Sequence, residues 1–243
     1  MIAYDLIDAH CHLYEFSEDD IEEFRQIIIL AVSDDIESSF KTLDLSKKYY
    51  NVIPAIGIHP WTIKQIEWNH IKIIESLVSR EEIPCIGEIG LDRKFVPETF
   101  NLQLEIFKAL LKIAKEYDLV VNLHAPNAWR EILDLVVKYD IRNALFHWYT
   151  GPIDILEEIQ SLGYYVSVNL SLKIQKKLRE ITKIVDLRHL LTESDGPYEY
   201  RGLKLSPKTI QDTIREISRI KETGEESLME IISQNFQSFL KGC

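Results

Sequence analysis

Eight short β-branched runs alternate with longer amphipathic stretches through this 243-residue chain, and that alternation predicts an α/β fold, the (β/α)8 or TIM barrel. A second observation agrees with it. Five of the seven histidines fall at the carboxyl ends of those runs, where such barrels gather their functional groups. No low-complexity run, basic tail or Gly/Ser linker interrupts the pattern, so a single domain over residues 1–243 is expected. An open, doubly wound sheet is the runner-up.

The first strand is expected over 5–12, "DLIDAHCH". Alternate side chains of a strand share a face, which puts Asp8, His10 and His12 on one side and Ala9, Cys11 and Leu13 on the other. Two imidazoles aimed at one point suit a divalent metal, although a strand-borne H-x-H alone is more often two hydrogen-bonded histidines. Further strands are expected over 27–33 ("IIILAVS"), 52–60 ("VIPAIGIHP", ending in His59) and 83–91 ("IPCIGEIGL", carrying Glu88). The remaining four are 119–126 ("LVVNLHAP", His124), 143–149 ("NALFHWY", His147), 164–169 ("YYVSVN") and 190–197 ("LLTESDGP", Asp195). Between them lie helical patterns. In 97–118, Phe100, Leu104, Phe107, Leu110, Leu111 and Ala114 recur at spacings that make one apolar stripe. Two more helices follow the last strand, over 206–221 and 224–241. His70 lies within a helical stretch and His189 just before strand eight, so both are read as surface or structural residues.

Composition narrows the function. The apolar share is 46% and the charged share 28%, ample for a globular core. Against 39 acidic residues stand 28 basic ones, a net charge of −11. That excludes extended, non-specific nucleic-acid binding but leaves room for a nucleotide or strand end in a locally positive pocket. The longest aliphatic run, "IIILAV", is too short to span a bilayer, and a cytoplasmic protein without a membrane partner is expected. Cys11, Cys85 and Cys243 are odd in number and lack metal spacing, which argues for reduced thiols, with Cys11 and Cys85 as packing residues.

His10, His12, His59, Glu88, His124, His147 and Asp195 together exceed the ligand needs of one ion, which suggests two ions sharing a carboxylate. Glu88, beside Gly87 in "IGEIG", is the natural bridge. A paired site lowers the pKa of a water, polarises the substrate oxygen and stabilises the leaving group, so hydrolysis is the favoured reaction. Zinc, manganese, cobalt, nickel or magnesium would suit such ligands.

These residues lie in motifs that resemble the TatD family of metal-dependent hydrolases, within the amidohydrolase superfamily of barrels. The motifs are "DAHCHL" (8–13), "GIHP" (57–60), "GEIGLD" (87–92), the histidine at 124, "HWYTG" (147–151) and "ESDGPY" (193–198). The resemblance implies that His10, His12, Glu88 and Asp195 hold one ion while Glu88, His124 and His147 hold the other. It casts Asp195 and Glu88 as the catalytic carboxylates, Asp195 taking a proton from the attacking water. It also implies metal-dependent cleavage of DNA, often from a strand end. Two positions depart from the pattern: "HAPNAW" replaces the Ser-Arg pair that follows the strand-five histidine, and Leu205 replaces an asparagine.

The remaining candidates carry two readings each. His59 would contact substrate or fix the turn at Pro60. Asp8 and Glu193 would orient ligating histidines or make plain structural hydrogen bonds. Arg93, Lys94, Lys173, Arg201 and Lys204 would supply positive charge or lie solvated at the surface. Trp61, Trp129, Trp148 and Tyr149 would stack on a base or wall the pocket against water. Two other functions come into consideration: hydrolysis of an amide, ester or lactone, which the centre supports equally well, and a metal-binding interaction module without turnover, against which all six filled ligand positions argue.

Overall fold

The computed structural model describes residues 5–241, and Cys243 lies outside them. Eight parallel strands follow one another in sequence order around the sheet. They are β1 (Leu6–Cys11), β2 (Ile27–Ala31), β3 (Val52–Ile56), β4 (Cys85–Gly90), β5 (Val120–His124), β6 (Ala144–Phe146), β7 (Tyr165–Val168) and β8 (Leu190–Thr192). The helices are α1 (Glu18–Glu23), α2 (Ile36–Lys48), α3 (Trp68–Val78), α4 (Phe100–Glu116), α5 (Trp129–Lys138), α6 (Ile153–Ser161), α7 (Lys176–Ile184), α8 (Ile210–Lys221) and α9 (Glu225–Lys241). This is the TIM barrel. Sequential strand order rules out the doubly wound alternative, which must reverse direction within its sheet.

β8 meets β1 through bonds clustered at the site itself. Asp195 N–H donates to His10 O and His12 N–H to Gly196 O, each at 2.9 Å. Deeper down, Thr192 Oγ1 donates to Ile7 O at 2.5 Å and Ser194 N–H to Asp8 Oδ1 at 2.8 Å.

Each strand is shorter than its apolar run. His10, Glu88 and His124 lie within β1, β4 and β5, whereas His12, His59, His147 and Asp195 come just after the chain has left the ladder of β1, β3, β6 and β8. Asp195 and Trp148 take left-handed backbone, φ 55° and 41°, which turns the chain over the barrel mouth instead of extending the strand. Gly90, at φ 154° and in register with His124, serves the same end: a Cβ there would collide with the His124 carbonyl oxygen.

The helices follow local signals. Ser17 caps α1 by accepting from Asp20 N–H, with Glu18, Asp19 and Asp20 at the positive end of the helix dipole. Asp35 and Ser38 form a capping box at α2. Phe107, Leu110, Leu111 and Ala114 of α4 are buried, as the stripe predicts, and a short 3-10 turn precedes the helix. Gln103 of α4 is also buried, its amide spanning the Asp92 N–H, the Asp92 carbonyl and the Val96 carbonyl. Among the described residues no helix is long and apolar enough to cross a membrane.

One element was not expected. Beyond β8, β9 (Glu199–Tyr200) and β10 (Leu203–Lys204) form an antiparallel hairpin. Its two central residues, Arg201 and Gly202, have φ of 51° and 84°, the geometry that matches the twist of a two-residue hairpin.

Candidate metal centre

Glu88 stands at the centre of the barrel mouth, buried, with its two oxygens facing different groups. Oε2 lies 3.3 Å from His10 Nε2 and 3.4 Å from His12 Nε2, and Asp195 Oδ1 lies 3.4 Å from each of those nitrogens. Oε1 lies 2.7 Å from His124 Nδ1, 2.9 Å from His147 Nε2 and 3.4 Å from His59 Nε2. Imidazole nitrogens also face one another, at 3.4 Å for His10 and His12 and 3.3 Å for His124 and His147. Lone pairs converging in a buried pocket repel unless a cation lies among them, so the donor set fits divalent metal ions.

His10, His12 and His124 each have a second polar group behind them, the arrangement that fixes ring orientation at metal sites. Asn122 Oδ1 sits 2.8 Å from His10 Nδ1, while its Nδ2 donates to Ala9 O at 2.9 Å. The amide is thereby oriented, and in the neutral form of His10 the hydrogen sits on Nδ1 and Nε2 presents its lone pair to the cluster. His12 Nδ1 lies 3.2 Å from Asp34 Oδ1, an ion-pair contact out of line for a hydrogen bond. His124 Nε2 meets Asp92 Oδ2 at 3.0 Å. His147 Nδ1 is 3.7 Å from Glu193 Oε2, beyond hydrogen-bond range. Glu193 instead accepts from Ser167 and Asn169. Asp8 touches no imidazole; it accepts the Ser194 and His10 N–H groups, and burial raises its carboxyl to about 7.

The charges follow from this geometry. Burial and His147 oppose the charged form of His10, yet Glu88 and Asp195 hold its pKa at about 9. Burial opposes ionisation of Glu88 too, but the surrounding imidazoles hold it well below the usual carboxylate range. His59 behaves differently. Burial lowers its pKa, and its Nδ1 accepts the Trp61 N–H at 3.2 Å, so the neutral ring carries its hydrogen on Nε2. That hydrogen points toward Glu88 and His124, which makes His59 a donor to the cavity although its position would allow a ligand.

Asp92 serves two structures at once. Oδ2 accepts from His124 and, at 2.7 Å, from Trp61 Nε1; Oδ1 accepts the Lys94 and Phe95 N–H groups at 2.7 Å. Against the effect of burial, the bonds from His124, Phe95 and Trp61 hold its carboxyl down at about 2.

Above the cluster opens a cavity of about 450 Å³. Trp61 and Phe95 form one wall, and Trp148, Tyr198 and Tyr200 another. Trp148 donates to Gln175 at 2.7 Å and stands edge-on to both tyrosines. Lys94, exposed with its ammonium over the Phe95 ring, is the one lysine or arginine among the lining residues, which also include the carboxylates Glu15, Asp34, Glu88 and Asp195.

The structure brings His10, His12, Glu88, His124, His147 and Asp195 together, with His59 beside them and Trp148 on the wall. Arg93 and Arg201 are not on it. Arg93 pairs with Glu131 at 2.9 Å and lies over the Phe100 ring, and Arg201 sits exposed in the hairpin turn near Tyr200. A position just past a strand end does not fix where a long side chain points. Tyr149 is buried, bonded to Pro152 O. His70 completes the capping box of α3, and His189 bonds Tyr164 O, both structural as expected. Cys11 and Cys85 are buried free thiols. Three residues of the site went unforeseen: Asn122, Asp34 and Asp92. Asn122 precedes His124 by two positions and shares its strand face, and Asp34 follows the β2 run as Asp195 follows the β8 run. Those signals could have found them.

A parallel barrel that gathers buried imidazoles and carboxylates at the carboxyl ends of its strands defines a class, the metal-dependent hydrolases. Within it the chain belongs to the TatD related DNase family, whose sequence model matches residues 7–241. It is 32% identical to an uncharacterized metal-dependent hydrolase of Methanocaldococcus jannaschii, over 97% of this chain and 96% of that protein. It is 26% identical to the uncharacterized metal-dependent hydrolase YcfH of Escherichia coli K12, over 95% and 94%. The crystal structure of the TatD homolog YjjV of Escherichia coli K12 superposes with a TM-score of 0.88 at 22% identity, over 96% of this chain and 97% of that one. A TatD family hydrolase of Entamoeba histolytica gives 0.84 at 18% identity, over 98% and 99%.

Proposed function

We propose that this metal-dependent hydrolase is a two-metal phosphodiesterase acting on the end of a DNA strand or on a nucleotide-like ester. The observation that carries the reading is the division of labour at Glu88, whose two oxygens face two separate donor sets. His10, His12, Glu88 and Asp195 would hold one ion, and Glu88, His124 and His147 the other. Bound there, divalent ions supply Lewis acidity that activates water and polarises the ester. Asp195, ionised and at the cavity surface, takes the proton released by the attacking water. His59 donates its Nε2–H to an oxygen of the substrate. Trp61 and Trp148 flank the reacting group, where they exclude water and offer faces for a base. A cavity lined by one cation and four carboxylates cannot track many phosphates, which supports end binding over internal cleavage.

The test is metal analysis of the purified protein, then a hydrolysis panel of DNA oligomers with free or blocked ends, closed circular DNA, an aryl phosphodiester and a lactone. Two ions per chain with turnover of free-ended oligomers and the aryl ester is the expected result. Turnover of the lactone without any phosphodiester would replace the reading with carboxylic ester or amide hydrolysis, a reading favoured by the absence of arginine from the lining residues.

A further inference from the structure

Beside the metal cavity lies a second basin of about 540 Å³. The two are neighbours, with Asn127, Trp129 and Thr150 lining both. Their chemistry differs. The first is ringed by carboxylates, whereas the second presents Arg130 and Lys177, with Glu131 as its acid. Glu131 is already engaged by Arg93 at 2.9 Å. Arg130 is held through Nη1, 2.6 Å from Glu158 and 3.6 Å from Asp134, which leaves its Nε and Nη2 hydrogens uncommitted. Lys177 is half-buried and pairs with no acid among the described residues.

In a chain of net charge −11, a lysine without an acidic partner beside an arginine with free N–H donors makes this basin a locally positive place on an acidic protein. Such a place attracts an anion arriving with the substrate. A strand whose end sits over the metal centre must leave the cavity somewhere, and the neighbouring basin, which shares Asn127 and Thr150 with it, carries Lys177 and Arg130.

We infer that the second basin is a subsite for the phosphate next to the scissile one, held by Lys177 and Arg130, and that the preferred substrate is therefore an oligonucleotide of at least three residues. The inference rests on the proposed phosphodiesterase activity and deepens it. A dinucleotide without terminal phosphates has only the scissile linkage. A trinucleotide has a neighbour to place in the basin.

The experiment compares the manganese-loaded wild type with Lys177→Glu and Lys177→Gln, using thymidine oligomers of two, three and four residues without terminal phosphates, and bis(4-nitrophenyl) phosphate. Wild type should gain about tenfold in kcat/KM from dimer to trimer, the scale of one charge-assisted contact. Lys177→Glu should erase that gain and Lys177→Gln reduce it. The salt slope for the trimer, log kcat/KM against log salt, should flatten by about 0.7 in Lys177→Gln, the value of one single-strand phosphate contact. The same dimer-to-trimer ratio in wild type and Lys177→Glu would overturn the subsite and leave the phosphodiesterase standing. Inorganic phosphate that alters aryl ester hydrolysis in wild type but not in Lys177→Glu would assign the basin to a free anion and overturn it as well. A protein that hydrolyses no oligomer and no aryl ester would remove the proposed activity, and this inference with it.

Discussion

The floor and the rim of the metal cavity are held by opposite means. On the floor the imidazoles of the metal cluster are largely buried, and His10, His12 and His124 are each backed within 3.2 Å by an amide or carboxylate. On the rim, Trp61, Phe95 and Tyr198 are 49%, 55% and 47% exposed. Trp61 is anchored there by its indole bond to Asp92. Redundant support on the floor preserves one geometry for the chemistry, whereas the looser rim leaves the choice of substrate open to change. Asp92 is the exception that joins them, since one oxygen serves both His124 and Trp61.

The largest effect is expected at the centre of the floor. Glu88→Gln should leave at most one ion per chain and no detectable turnover, while the circular dichroism spectrum stays that of a folded barrel, because the core rests on apolar burial. Two tightly held ions in that variant would remove Glu88 as the bridge. Next in size is Asp195→Asn. Its amide oxygen can still face His10 and His12, but it accepts no proton at neutral pH, so kcat at saturating metal should fall by ~10² to 10⁴. Recovery of wild-type kcat on metal titration would make Asp195 a ligand alone and turn attention to His59.

Asp92→Asn probes the joint between floor and rim. Metal affinity should drop about 10- to 100-fold, as for other groups that orient a ligating histidine, and KM should rise together with it. A change confined to KM would show that Asp92 supports only the rim. Acidity tests the floor without mutation. His10 in the ion-free protein keeps its proton up to about 9, above its ordinary 6.5, and an arriving ion must displace it. Loading should therefore weaken as pH falls from 9 toward 6, by up to about tenfold per unit, with proton release seen by calorimetry in buffers of different ionisation enthalpy. The same raised pKa stabilises the ion-free fold, fully below 6.5 and progressively less as pH rises through 9. Smallest is Trp61→Ala, for which an oligomer KM higher by about tenfold with kcat nearly unchanged is expected from the loss of one stacking face.

The floor was far more legible in the sequence than the rim. His10, Glu88, His124 and Asp195 stand out because charged or imidazole side chains at the ends of apolar strand runs have few structural reasons to be there. Asn122 stands out less: its place two positions before His124 on one strand face hints at the site, but its partner His10 lies 112 positions away in sequence. The hairpin escaped for a local reason: its strands are two residues each and its first turn position is arginine, a residue that rarely marks left-handed backbone. Arg93 and Arg201 failed for yet another reason, because a flexible side chain goes to the nearest acid or ring and not where its Cα suggests.

The seam between β1 and β8 also sets an order of assembly during synthesis. Glu88, His124 and His147 all emerge from the ribosome before residue 150, on strands that neighbour one another in the sheet. Asp195 arrives only with the final strand, and its N–H bond to His10 O then ties the tail of the barrel to its head. The groups facing one oxygen of Glu88 are thus complete in sequence by His147, while those facing the other wait for Asp195, so the two-ion centre proposed above would be complete only when the barrel closes.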